Sequence, residues 1–225
     1  MRNHLDRGEL ALSAFGCDYA LAQLDLGTDA VLRKRGMTFQ TEAWRVGDVG
    51  RLCIMRMNAF FGLMRMETVI FAPETIDAPL FNIDWVSAFG TETQLAEFYD
   101  IQLQPWLEER QAELQSVCDG IAELPNMQND PHWYDGLLYP CSCGKRGKGI
   151  APQLEEAARG YIAAFVAQLP LLPACDAAQK QEKVRAFAER LYAEGGAAVQ
   201  QVTRLFGSDA AHRLVVQHMY GVESA

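Results

Sequence analysis

The chain has 225 residues, 49% hydrophobic and 22% charged, with a formal net charge of −9. That length suits one well-buried core, a single domain spanning residues 1–225. The negative average field argues against nucleic-acid phosphates as partners.

No apolar run reaches the roughly 18 residues needed to span a membrane. The opening stretch MRNHLDRGELALSAFG carries acids and no A-x-A-like cleavage site, so no signal peptide is expected. The expectation is a cytoplasmic monomer with no nucleic-acid or membrane partner. Cys17, Cys53, Cys118, Cys141, Cys143 and Cys175 are scattered along the chain and read as reduced thiols, mostly small core hydrophobes.

Residues 9–26 predict a first helix, with Leu10, Leu12, Phe15, Leu21 and Leu24 among small residues and Gly27 at its end. The charged turn Arg33, Lys34, Arg35, Gly36 follows. From Phe39 to about Asp100 the pattern changes to strand-length apolar runs, RLCIMRMNAFF, LMRMETVIFAP, FNIDWVSAFG and QLAEFYDIQL. Their short connections favour an antiparallel meander. After Pro105, WLEERQAELQSVCDGIAEL predicts an acidic amphipathic helix, and residues 126–150 a polar connection. APQLEEAARGYIAAFVAQL predicts a helix that opens on proline and acids, with Tyr161, Ile162, Phe165 and Leu169 on one face.

A longer helical pattern over 177–206 places Val184, Phe187, Ala188 and Leu191 on one stripe. Gly195 and Gly196 should break or kink it, and Gly207 should stop it. Ser208 is a suitable N-cap for a final helix to about Tyr220. Helix, strands, then helices is the order of an α/β protein in which helices pack on an antiparallel sheet.

The usual catalytic motifs are missing. There is no G-x-x-x-x-G-K-[ST], no G-x-G-x-x-G after a strand, no G-x-S-x-G elbow and no H-x-x-x-H set. PCSCGKRGKG supplies two cysteines where a structural zinc needs four ligands, so it reads as a basic surface turn and no metal site is expected. The acids inside the strands remain. Side-chain alternation puts Arg65, Glu67, Val69 and Phe71 on one face of their strand, and Asn82, Asp84 and Val86 on one face of theirs. Either both polar stripes are solvated, as is common in antiparallel sheets, or Glu67 and Asp84 face a pocket under the helices. In a pocket, burial and a like charge would raise a carboxyl pKa and equip it to donate a proton.

The stretch APLFNIDWV resembles the P-[LI]-F-G-x-D-[IL]-V signature of the ferredoxin-dependent bilin reductases. MRMETVIFAP before it, YDIQLQP after it and the C-terminal VTRLFGSDAAHRLVVQHMYGV are similar to further segments of that family. Their order and spacing along the chain carry the resemblance. It implies a three-layer α/β/α sandwich with a central antiparallel sheet. It also implies an oxidoreductase acting on a CH–CH group of a linear tetrapyrrole such as biliverdin. Electrons would arrive singly from a [2Fe–2S] ferredoxin, with no tightly bound cofactor. Asp84 falls on the family's catalytic aspartate, which protonates the bilin and its radical intermediates.

Several positions depart from the family pattern. Glu67 stands where some members carry a histidine partner to the aspartate, and is expected to tune Asp84 or donate a second proton. Asn82 replaces the signature glycine and is assigned to the substrate site. Cys53 or Met55 stands where some members have a further acid, and Gly195 with Gly196 where some place an Asn–Asp pair, which favours a single two-electron reduction. The bilin's propionates need cations: Lys145 and Arg146 are candidates, and Arg65 either binds a propionate or pairs with Glu67. Val69 shares the Glu67 face and is assigned to the substrate site. Ferredoxin docking would use the basic patches at Arg33, Lys34 and Arg35 and at Lys145, Arg146 and Lys148. The related alternatives are a reductase of an opened chlorophyll catabolite and a non-catalytic bilin-binding protein of the same fold.

Overall fold

The computed structural model describes residues 4–128, 130–195 and 197–222. Helix α1 (Arg7–Asp18) opens on Asp6, whose carboxylate accepts the Glu9 N–H at 2.8 Å and so satisfies a free donor of the first turn. The helix is shorter than the sequence pattern predicts. Tyr19 is extended, and the chain continues as the edge strand β1 (Leu21–Gln23). Leu21 and Leu24 extend the helical spacing, but so short an apolar pattern also fits a strand.

The strands β2 (Val31–Lys34), β3 (Met37–Val46), β4 (Gly50–Ala59), β5 (Met64–Pro73), β6 (Leu80–Ala88) and β7 (Thr91–Tyr99) follow. From β3 onward each pairs antiparallel with the next, and β1 and β2 both pair with the outer side of β3. The basic turn predicted from CSCGKRGKG is instead β8 (Cys143–Gly147), paired antiparallel with β7. Its Gly144 lies against Leu95, whose Cδ2 would be 2.7 Å from any added Cβ, so a larger residue here would displace the Leu95 side chain. On the outer side of β8, Arg146 N–H donates to Pro125 O at 2.9 Å and Met127 N–H to Gly144 O at 2.9 Å.

Helices cover both faces of this eight-stranded sheet, giving the three-layer antiparallel sandwich. On one face α1, α2 (Glu108–Gly120) and α3 (Ala151–Gln168) enclose Phe15, Phe71, Phe81, Phe98 and Phe165. Phe81 and Phe165 stack with ring centroids 4.5 Å apart. On the other face α4 (Ala177–Glu194), α5 (Ala197–Phe206) and α6 (Ser208–His212) cover Met55, Ile70, Leu80 and Tyr99, and α6 continues as a π-helical stretch, Arg213–Met219. The predicted break falls at Gly195, which caps α4 at φ 70°; Gly196 lies outside the described residues. Gly207, at φ 93°, is the N-cap of α6, so Ser208 is the first helical residue and not the cap. Both glycines adopt a left-handed φ that a β-carbon disfavours.

One buried ion pair fixes α4 to the sheet connections. The Lys180 ammonium reaches Asp77 Oδ1 at 2.9 Å, Ala78 O at 2.7 Å and Ile101 O at 3.2 Å. Asp77 also accepts the N–H groups of Leu103 and Gln104, so neither charge is left without hydrogen bonds.

Candidate active site

The antiparallel register decides which side chains meet. Thr68 pairs with Asp84 and Glu67 with Trp85, so Asp84 faces the α4–α6 layer and Glu67 the α1–α3 layer. The two carboxylates therefore occupy neighbouring strands but opposite faces of the sheet. Neither lies on a solvated face, and the convergence of Glu67 with Asp84 does not occur.

Glu67 is 5% exposed. It accepts the N–H groups of Arg7 at 2.8 Å and Gly8 at 3.0 Å, and pairs with Arg56 Nε at 3.3 Å. Free N–H groups of a first helical turn are natural carboxylate partners; Glu67 thereby ties α1 to the sheet. Burial raises its pKa, and those N–H bonds oppose the rise.

The partner of Asp84 is Glu97, which the sequence reading did not single out. Asn82 pairs across the strands with Glu97, and its Nδ2 donates to Asp84 Oδ2 at 3.0 Å and Glu97 Oε2 at 2.9 Å. The amide thus links two carboxyl groups. Thr68 Oγ1 donates to Asp84, and Tyr99 donates its hydroxyl to Glu97 at 2.7 Å. Burial pushes Asp84 above the ordinary carboxylate range, against the Thr68 and Asn82 bonds. Burial first, then the Asp84 charge, pushes Glu97 up to about 7.

These groups form the floor of a cavity of about 250 Å³, roofed by Leu191, Val199, Val202, Leu214 and Tyr220 and flanked by His132 and Tyr134. His132 stacks on Tyr134 with centroids 4.9 Å apart. Burial under apolar walls raises the proton affinity of both carboxyl groups, an arrangement suited to proton donation. Among the described residues, no group of three or more His, Cys, Asp or Glu side chains gathers as a metal site.

The other expected site residues lie elsewhere. Val69 is wholly buried in the core of the α1–α3 face. Arg65 is exposed on the Glu67 side and does not pair with Glu67; Arg56 does. Lys145 also faces the α1–α3 layer, where its ammonium is held by Ala122 O at 3.1 Å, Leu124 O at 3.1 Å and Asn126 Oδ1 at 2.7 Å. Arg146 is exposed on the far strand, outside the residues lining the cavity. Of the two residues at the further acid position, Met55 lines the cavity, while burial pushes the Cys53 thiol up to about 12.

Cations do flank the acid cavity, at a position the sequence did not indicate. A second cavity of about 300 Å³ shares Tyr220 with the first and is lined by Arg45, Arg51 and Arg185. Arg51 Nη2 donates to His218 O at 2.9 Å, whereas its buried Nε has no hydrogen-bond partner among the described residues. Glu97 was findable, because QLAEFYD places an acid within an apolar strand, as FNIDWV does. The arginines and the His132–Tyr134 pair lie far from Asp84 in sequence and carry no local signal.

The crystal structure of selenomethionine phytochromobilin synthase from tomato, in complex with biliverdin, superposes with a TM-score of 0.74. The match covers 95% of this chain and 81% of the tomato protein at 13% sequence identity, and it establishes a common fold. No family model and no curated protein sequence matches the chain.

Proposed function

We propose that this protein is a bilin reductase, reducing biliverdin or a related linear tetrapyrrole with electrons from a [2Fe–2S] ferredoxin. The observation that carries the reading is the Asp84–Asn82–Glu97 linkage on the floor of an apolar cavity, in a fold shared with a protein whose structure holds biliverdin.

Reduction of one carbon–carbon double bond consumes two electrons and two protons. Ferredoxin supplies the electrons one at a time and is oxidised. Asp84 delivers protons to the bilin and its radical intermediate, and Glu97, poised near pH 7, holds the next proton across Asn82. Glu97 takes the tuning and second-donor role that the resemblance gave to Glu67. The Asn82 amide oxygen, which has no partner among the described residues, can accept a lactam N–H. The propionates reach the Arg45, Arg51 and Arg185 cavity. Ala72, on its wall, stands four residues along β5 from the Asp84 partner Thr68, roughly 13 Å at strand spacing.

The test is an anaerobic absorbance titration with biliverdin, followed by reduced ferredoxin. A bound spectrum that then shifts to shorter wavelength is the expected result. Binding without conversion would make the protein a bilin carrier, and absence of binding would overturn the proposal.

A further inference from the structure

The turns at one end of the sheet carry a second arrangement, separate from the acid cavity. Register places the β2–β3, β4–β5 and β6–β7 turns and the end of β8 along one rim, since Thr38 pairs with Asn58, Met64 with both Ala59 and Ala88, and Glu92 with Ser87 and Gly147. Six strand spacings of about 4.8 Å give this rim a length of roughly 29 Å.

Phe60, Phe61, Leu63 and Phe89 project from it, 54%, 108%, 60% and 67% exposed. Phe60, Phe61 and Phe89 have φ of 52°, 54° and 51°, a left-handed conformation that is a genuine outlier for a bulky side chain. The Phe60 ring leans on Phe89 with centroids 6.0 Å apart and Phe61 stands free in water, so the pair serves neither turn geometry nor the core. Strain of this kind marks sites where function specifies the residue.

The charge on the rim is opposite to that of the molecule. Exposed Arg33, Lys34, Arg35, Arg65, Arg146 and Lys148 flank the aromatics, and among the described residues none of the six is in an ion pair. The one acid within residues 33–38, 57–66, 86–93 and 145–149 is Glu92, which is buried and accepts from Trp85 Nε1 and Ser87 Oγ. At physiological salt, charges beyond about 8 Å are screened. A partner touching this rim therefore meets its cations, and the net charge of −9 counts for little.

We infer that this rim docks on an anionic lipid surface, with the phenylalanines entering the headgroup layer and the six cations neutralising lipid charge. The aromatics stand on protruding turn tips in a line, which suits a plane; anchors for a protein partner sit in matched recesses. The binding is peripheral, since no helix among the described residues is long and apolar enough to cross a membrane. It stands independently of bilin reduction.

The test is co-sedimentation of the full chain with vesicles of phosphatidylcholine alone or mixed with phosphatidylglycerol. Binding should be confined to the mixed vesicles and weaken with salt, with each cation near the surface contributing roughly fivefold in affinity. Phe61→Asn should lower binding at least about tenfold while leaving the melting temperature unchanged or higher, because asparagine tolerates the left-handed turn. The triple variant Arg33→Gln, Lys34→Gln, Arg35→Gln should bind more weakly and with less salt dependence. No sedimentation with mixed vesicles at low salt, equal binding to both vesicle types or undiminished binding by Phe61→Asn would overturn the inference. So would rim-dependent capture of an acidic protein such as a ferredoxin while vesicles are ignored.

Discussion

Asp84 and Glu97 share one amide donor, Asn82, so their separate contributions are best resolved by isosteric changes. Asp84→Asn keeps the hydrogen-bonding shape of the floor and removes its proton. Biliverdin affinity should stay within a few-fold while turnover falls at least about 100-fold, the scale of a lost general acid. Unchanged turnover in single-turnover assays would remove Asp84 from the proton path.

Glu97 makes a thermodynamic prediction. Its folded pKa of about 7 stands above the ordinary 4.5, so the folded state binds more protons over that window, and stability falls as pH rises through it. Glu97→Gln escapes that loss. Relative to the parent it should gain on the order of 2 kcal/mol at pH 8 over its difference at pH 5. Urea denaturation at both pH values measures this directly, and a pH-independent difference would show that Glu97 ionises normally.

At the scale of elements, the proposed bilin reduction requires the cavity roof to move. Pockets for drug-sized ligands run from roughly 300 Å³ upward, and a four-ring open-chain pigment exceeds the 250 Å³ under α5. Positive-φ glycines stand at both ends of α5, Gly195 and Gly207, where the chain can absorb a backbone rotation. Val202→Trp should fill the space beneath the helix and weaken biliverdin binding by at least about tenfold with little change in melting temperature, since pocket volume and pigment compete for one site. Equal affinity would place the pigment elsewhere.

The elements were unequally legible in the sequence. Strands β4 to β7 announce themselves by strand-length, predominantly apolar segments, and the α4 stop by its glycines. β8 does not: CGKRG has no β-branched residue, and it is a strand because β7 offers it an unpaired backbone edge. The same gap explains the site. Alternation gave each acid's face along its own strand, but pairing register decides which face is shared, and register is a tertiary property. Asp84 was therefore legible, whereas Glu67 was assigned to a cavity it faces away from.

Across the whole molecule, one sheet serves both helical layers, so the layers should melt together. The Lys180–Asp77 pair tests this connection. Lys180→Met leaves Asp77 buried without its counter-charge and should cost about 3–5 kcal/mol, read as a lower midpoint in a single urea transition monitored by both tryptophan fluorescence and circular dichroism. Separate transitions by the two probes would show that the layers unfold independently.

The far edge of the sheet has a bearing on handling the protein at high concentration. An open strand edge invites pairing with another copy. Here β8 is short, interrupted by glycine and studded with cations, and the chain at Pro125 and Met127 already occupies hydrogen-bonding groups on its outer side. This edge of the sheet is thereby protected from pairing with another copy, and that protection resides in the connection from α2 to β8, so shortening that connection would expose a template for aggregation.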